Sequence, residues 1–463
     1  MSATSGSREQ KHSPQCHVHE VDYAIDLTAL HRSDPERYPH LLQSTAHGRY
    51  DILFAFPGDS LELDAEGNVA APEFINSSDE DFLTALDDWW QQEVTVQSGS
   101  NLPFTGGWFV YLGYELAGQV EPCLQLPQPV GDLPVAIATR FRTAVVRDNE
   151  QQQSFIVAEQ SHTALVENIR ADIAALSGAF PAETAIVATV SEDDPKDYLD
   201  AIERIHSYIR EGDVFQVNLS RCWKIMLEEP VSAVTLFRNL GKHNPSPFAG
   251  LAAWEGVSII SSSPERLVRV HDGFAETRPI AGTRPRSNVS TSDKAYSEEL
   301  LAHPKERAEH IMLIDLERND LGRLCVPGSI EVNELMVLES YAHVHHIVSN
   351  VRGRLRDNIS PGEVLRAVFP GGTITGCPKV RCMQIIAELE QVPRGAYTGS
   401  MGYINRDGSM DLNILIRTMV CQGKQLELRA GAGIVADSNA QAELEETRVK
   451  ARGLLHALGL DDA

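Results

Sequence analysis

Between Met401 and Asp437 the chain lays down apolar runs separated by two glycine turns, Asp407-Gly408 and Gln422-Gly423. Turns of this kind close antiparallel hairpins, because glycine takes the left-handed backbone that a tight hairpin needs. A meander excludes the long crossovers that parallel βαβ units require. The same texture recurs upstream between Tyr38 and Val157, where short runs such as Asp51–Phe56 and Gly106–Gly113 are broken by Gly and Pro. Helical spacing is clearest in two places. Tyr198–Glu211 carries Ile202, Ile205 and Ile209 and is stopped by Gly212, after which Val214–Leu219 reads as a strand. The last segment starts at Ser438 with the capping-box pattern Ser438-x-x-Gln441. Leu444, Leu454, Leu455 and Leu458 form its apolar side, and Gly459 ends it. The fold class expected is α+β, with large, mostly antiparallel sheets.

A chain of 463 residues has room for more than one folding unit. Composition divides it into a disordered start (1–20), an N-terminal region (21–160), a helix with linker (161–194) and a larger unit (195–459). The net charge of −25 speaks against nucleic acid or an anionic membrane as partner. An anionic substrate must then be met by a few placed basic residues or by a bound cation. The first twenty residues hold no apolar run, no stretch has the length of a membrane span, and seven scattered cysteines form no disulfide framework. A cytoplasmic protein is expected.

Glu443 and Glu446 are three apart on the last helix and so share a face. Just before it, Gly431-Ala432-Gly433 ends a strand where bare backbone can approach a ligand. Glu309 lies on another candidate helix, and carboxylates from two helices can hold Mg²⁺ while leaving positions for water and substrate. The other reading is that these are solvated helix charges. Arg417 lies in the apolar run Asp411–Val420, where a charge is costly unless paired, by a bound carboxylate or an internal salt bridge. Glu265, in Ser261-Ser-Ser-Pro-Glu-Arg266, sits at the exit of a buried-looking strand, a natural place for a general acid, or for a turn carboxylate. His343-Val-His345-His346 lacks partners at zinc-site spacing. Gly371-Gly-Thr-Ile-Thr-Gly-Cys-Pro-Lys379 fails as a phosphate loop because Pro378 interrupts it.

Taken in order, Ser263-Pro-Glu-Arg266, Pro279-Ile-x-Gly-Thr283, Ala308-Glu-His310, His346-x-Val-Ser349, Gly371–Lys379 and Gly431–Val435 with Glu443-x-x-Glu446 closely resemble the chorismate-utilising family. That family includes the large subunits of anthranilate and aminodeoxychorismate synthases and the isochorismate and salicylate synthases. The resemblance implies a β-sandwich-like core flanked by helices, with the N-terminal segment woven into it. It also implies chorismate as substrate and Mg²⁺ as cofactor, with Glu309 and Glu446 as ligands and Glu443 assisting through water. By the same resemblance Glu265 protonates a departing hydroxyl. Tyr397, Arg417 and the Gly431, Ala432 and Gly433 backbone hold the enolpyruvyl carboxylate, and Gly282 and Thr283 line the substrate. Lys379 and His346 stand where the family keeps active-site residues.

Where water-adding relatives carry a lysine base, this chain has Gln216, so the resemblance points to ammonia as nucleophile, delivered by a separate glutaminase subunit. Within the amine-adding branch, Gln216–Leu219, Thr373–Gly376 and Gly106–Glu115 resemble the enzymes that aminate C4. Ala281 departs from them, standing where they have a lysine, and beside it Gly282 is expected to leave room for a longer side chain. Ser44, Asn244, Pro245 and Phe248 resemble a remnant of the tryptophan pocket of the anthranilate enzymes.

Overall fold

The computed structural model describes residues 16–46, 48–75, 81–95, 100–129, 131–176, 186–286, 298–300, 302–340 and 344–460, with the backbone alone for Thr283, Arg284, Pro285, Pro304, Lys305 and Val344. All strand pairs among them are antiparallel.

Two long strands, Tyr50–Leu63 and Ala136–Asp148, organise the molecule. They pair with each other from end to end, with an irregularity between Pro57 and Ser60. Such a bulge bends a strand and increases its twist. On its free edge Ala136–Asp148 carries Gly107–Leu112 along its first half and Gln153–Glu159 along its second. One sheet continues from Gly107–Leu112 through Ser400–Asn405, Met410–Asn413, Arg266–His271 and Phe274–Thr277 to Val344–Arg354. The other runs from Tyr50–Leu63 through His40–Gln43, Phe248–Trp254, Val257–Ser263, Thr418–Gln422 and Gln425–Ile434 to Gln216–Leu227. Phe54, Phe104, Phe109, Phe141, Ile259 and Met401, drawn from both sheets and the loop at Phe104, pack into one buried cluster. Each such phenylalanine contributes about 2–3 kcal/mol by leaving water.

The hairpins expected at Asp407-Gly408 and Gln422-Gly423 are present, and both glycines have positive φ. The helix Pro195–Glu211 ends at left-handed Gly212, as its spacing indicates. Three readings need correction. Cys16–Val21 is a strand on Gln153–Glu159, not part of a disordered start. The segment after the helix Leu165–Ala175 ends in a strand, Ala188–Glu192, that edges Gln216–Leu227. The last helix, Ala440–His456, is capped by Asn439, whose side chain accepts from the Ala442 N–H; Ser438 accepts from Val435 instead. No helix among the described residues is long and apolar enough to cross a membrane.

Candidate active site

The strand pair Gln216–Leu227 and Gln425–Ile434 has two unlike faces. Val217, Leu219, Ala432 and Ile434 pack under the helices Pro195–Glu211, Lys379–Glu390 and Ala440–His456. Alternation then puts Gln216, Asn218 and Ser220 on the opposite face, all buried, with Gly433 across from Asn218 and Gly431 across from Ser220. The two glycines are there for space. A Cβ at Gly431 would lie 2.7 Å from the Tyr397 hydroxyl and 2.8 Å from Asn218 Oδ1, and one at Gly433 would lie 2.8 Å from Gln216 Nε2. Gln216, Tyr397 and the glycine backbone therefore meet, as expected. Ala432 points into the core, so only its backbone can face a ligand.

Glu265 follows the strand Val257–Ser263 and is buried. Burial pushes its carboxyl up to about 7, while the Thr373 hydroxyl, the Ile280 N–H and the charges of Lys450 and Arg417 pull the other way. It is thus a carboxylic acid that keeps its proton near neutrality, as a general acid must. Arg417 is not inside a strand: it falls between Met410–Asn413 and Thr418–Gln422 with a left-handed backbone, φ 51°. Burial depresses its pKa, Glu265 is its one favourable neighbour, and no carboxylate among the described residues pairs with it. An internal salt bridge is therefore not what holds it, and a ligand carboxylate fits the need.

Gly282 forms a left-handed bulge, φ 67°, in the strand Ile280–Pro285 opposite Ile347 and His346. Its surroundings are full, contrary to expectation: a Cβ would lie 2.8 Å from both Glu306 Oε2 and Leu300 Cδ1. The Thr283 side chain lies outside the described residues; its backbone pairs with His346. His346 Nδ1 is 3.3 Å from the Gly282 carbonyl, and burial with the nearby Arg417 charge takes its pKa down to about 4. The ring is neutral at pH 7. Lys379 Nζ binds Asp320 at 2.8 Å and the Pro370 and Val368 carbonyls at 3.0 and 3.2 Å. Its donors fasten the Gly371–Thr373 loop to the helix Pro304–Gly322, so here it is a tether.

Glu309 is half-buried on that helix, one residue before His310, whose Nε2 lies 2.6 Å from the Ser349 hydroxyl. His310 thereby fixes the turn that carries Glu309. Glu443 and Glu446 occupy the first turns of Ala440–His456, and both act on the Tyr198 hydroxyl. Glu446 pairs with Lys450 at 2.7 Å. No cluster of three or more His, Cys, Asp or Glu forms a metal cage among the described residues. The donor set is nonetheless chemically suited to Mg²⁺: hard carboxylates only and few in number.

Ser44 and Asn244 flank a junction where Thr45 and Ser246 exchange hydrogen bonds of 2.8–3.2 Å, and Asn244 Nδ2 is buried with no partner. Pro245 precedes this junction, and Phe248 lies under the Arg266 guanidinium on the wall of a neighbouring cavity of about 380 Å³.

Lys450 escaped the sequence reading. It reaches the Gly431 carbonyl at 2.9 Å while pairing with Glu446 and bearing on Glu265. Its position four residues after Glu446 was the available signal. Asn218 escaped too, although period two places it on the face of Gln216.

The family of chorismate binding enzymes matches residues 38–456. The chain is 41% identical over 370 residues (79% of this chain, 75% of the relative) to an anthranilate synthase component I-like protein of Synechocystis. It is 37% identical over 439 residues (91% and 92%) to aminodeoxychorismate synthase component 1 of Bacillus subtilis. The crystal structure of anthranilate synthase component I from Streptococcus pneumoniae superposes with a TM-score of 0.77 at 32% identity, covering 88% of this chain and 92% of that one. The menaquinone-specific isochorismate synthase of Escherichia coli, 19% identical with a TM-score of 0.73 over 96% and 95% of the two chains, shares the fold. A buried acid, an unanswered arginine and a bare glycine strand thus coincide with a match over most of the chain, and the protein belongs to the chorismate-binding enzyme family.

Proposed function

We propose that this protein aminates chorismate at C4, as the large subunit of an aminodeoxychorismate synthase, with ammonia supplied by a separate glutaminase subunit. The observation that carries a chorismate-converting site is buried Glu265, which keeps its proton near neutrality, beside Arg417, a desolvated cation that no carboxylate among the described residues answers. Arg417, Tyr397 and the Gly431–Gly433 backbone hold the enolpyruvyl carboxylate. Glu265 gives its proton to the C4 hydroxyl, which leaves as water while ammonia forms the C–N bond and sheds one proton. The neutral, uncharged Gln216 beside Gly433 offers no base to activate water, which favours ammonia. Glu309 and Glu446, with Glu443, are the residues that would hold Mg²⁺, which when bound supplies positive charge for the ring carboxylate. Glu446→Gln should then lose most turnover and keep its fold, and near-normal Mg²⁺-dependent activity in that variant would refute the assignment.

A second reading, amination at C2 with loss of pyruvate, is favoured by Ala281. Mass spectrometry of the products from chorismate, ammonium and Mg²⁺ decides between them: a C4-aminated product supports the first reading, and anthranilate overturns it.

A further inference from the structure

The Asn218 backbone is held on both sides. Its N–H donates to the Thr375 carbonyl at 2.9 Å, and its carbonyl accepts from Arg394 at 2.8 Å. The side chain, 8% exposed, lies on the strand face it shares with Gln216, yet its Oδ1 has no hydrogen-bond partner among the described residues. A buried acceptor left without a donor costs a fold about 1–3 kcal/mol, so its persistence calls for a reason.

Donors on neighbouring residues are committed elsewhere. The Ser220 hydroxyl goes to Glu390 at 2.8 Å, and Lys450 Nζ is shared between the Gly431 carbonyl at 2.9 Å and Glu446 at 2.7 Å. Asn218 Oδ1 and the Tyr397 hydroxyl lie 2.8 and 2.7 Å from the point where a Gly431 Cβ would stand, so the amide overhangs the bare glycine strand. Two links lead from there to Glu265. Thr375 bonds the Asn218 backbone and the Thr373 hydroxyl bears on Glu265, and these threonines are separated by no more than about 7 Å of backbone. Lys450 bonds Gly431, and its charge also reaches Glu265. The acid and the unanswered acceptor are thus neighbours of the same loop and the same lysine.

Chorismate carries two carboxylates, an enol ether and a single hydroxyl, at C4. Only the hydroxyl can donate a hydrogen bond. The carbon next to it bears the enolpyruvyl group, whose carboxylate is assigned above to Tyr397, Arg417 and the glycine backbone. We propose that Asn218 is a further substrate-binding residue: its Oδ1 accepts the hydrogen of the C4 hydroxyl and turns the lone pairs of that oxygen toward the proton of Glu265. This rests on the chorismate reading and holds whichever ring carbon is aminated. The contact leaves the proton balance unchanged. The hydroxyl hydrogen and the Glu265 proton depart in one water, which keeps the electron pair of the broken C4–O bond, and the proton shed by ammonia restores Glu265.

The test compares chorismate with its analogue lacking the C4 hydroxyl, by calorimetric titration of the full chain in Mg²⁺ without ammonium, so that no amination occurs. Asn218→Val removes the amide and suits a strand. Chorismate affinity should fall about 5–10-fold, the worth of one hydrogen bond, while affinity for the analogue should stay within twofold of the parent's. The unliganded variant should be no less stable in urea than the parent, because it loses an unanswered polar atom. Asn218→Ala gives the same comparison with a smaller side chain should valine disturb the packing. A purely structural amide would lower stability and weaken both ligands alike. That outcome, or no weakening of either ligand, overturns the proposal. A parent chain that binds neither ligand overturns the chorismate reading itself.

Discussion

Arg394 and Arg417 are two arginines held inside the fold, Arg394 buried and Arg417 half-buried, and they differ in what answers their charge. Arg394 is met by Glu390, the Asn218 and Ile374 carbonyls and two tyrosine rings. Arg417 has Glu265 as its one favourable neighbour, and that group holds its proton near neutral pH. A buried cation without a counter-ion costs stability. Arg417 bears that cost, whereas Arg394 avoids it through Glu390. Satisfaction of polar groups thus distinguishes the two arginines beyond their difference in exposure, Arg394 being 3% exposed and Arg417 half-buried.

The largest effect that would sharpen this contrast is on chemistry. Glu265→Gln keeps the volume and removes the proton donor, so turnover should fall by about 10²–10⁴-fold with the fold unchanged by circular dichroism. A variant within tenfold of the parent would leave the buried acid without a role. The two arginines should then respond oppositely to the same substitution. Arg394→Met leaves buried Glu390 with only Arg429 and Ser220 and should cost about 3–5 kcal/mol in urea unfolding. Arg417→Met should cost little stability or add some, and raise KM for chorismate about 10–100-fold. If Arg417→Met destabilised the protein as much as Arg394→Met, the distinction would collapse.

Smaller effects follow from pH. The folded pKa of Glu265, about 7, lies above its ordinary value of 4.5. Its contribution to stability is complete below the unfolded pKa and is lost as pH climbs through the folded one. Between pH 5.5 and 8.5 the parent should lose about 2 kcal/mol relative to Glu265→Gln. With free ammonia held constant, kcat/KM should decline above about pH 7. A flat profile in both measurements would mean that Glu265 is ionised throughout. The smallest effect concerns Ala281→Lys. Ala281 is buried opposite Ile347 and the adjoining bulge at Gly282 is crowded. The product should not change by mass spectrometry, and a shift from anthranilate to a C4-aminated product would favour the C2 reading for the parent.

How much of this was legible beforehand depended on the kind of signal. Hairpins marked by Asp407-Gly408 and Gln422-Gly423, and the amphipathic helix before Gly212, are local facts, set by turn chemistry and period, and the structure has them. The strand Cys16–Val21 was missed because its stability comes from a partner, Gln153–Glu159, more than a hundred residues away. Its own polar residues give little sign of it. Glu265 and Gly431 were singled out from chain order and strand-end position. Lys379 was grouped with them, yet its environment makes it a tether, because nothing in the sequence announces Asp320 or the Pro370 carbonyl. Asn218 shows the reverse case: an amide on a polar strand face looks ordinary until its oxygen proves to be unanswered.

The two long strands shared by both sheets carry a consequence for synthesis of the chain. His40–Gln43 finds its edge partner in Phe248–Trp254, and Gly107–Leu112 finds one in Ser400–Asn405. As the polypeptide leaves the ribosome, the first hairpins to emerge must wait for roughly two to three hundred more residues before their open edges are covered. Contacts of such sequence separation slow folding and leave strand edges exposed to misassociation. The last strands made, Thr418–Gln422 and Gln425–Ile434, bridge Val257–Ser263 and Gln216–Leu227 and bring Gly431 to its place. The Gly431 strand face is therefore completed only when almost all of the chain has been synthesised, and a nascent fragment shorter than that lacks it.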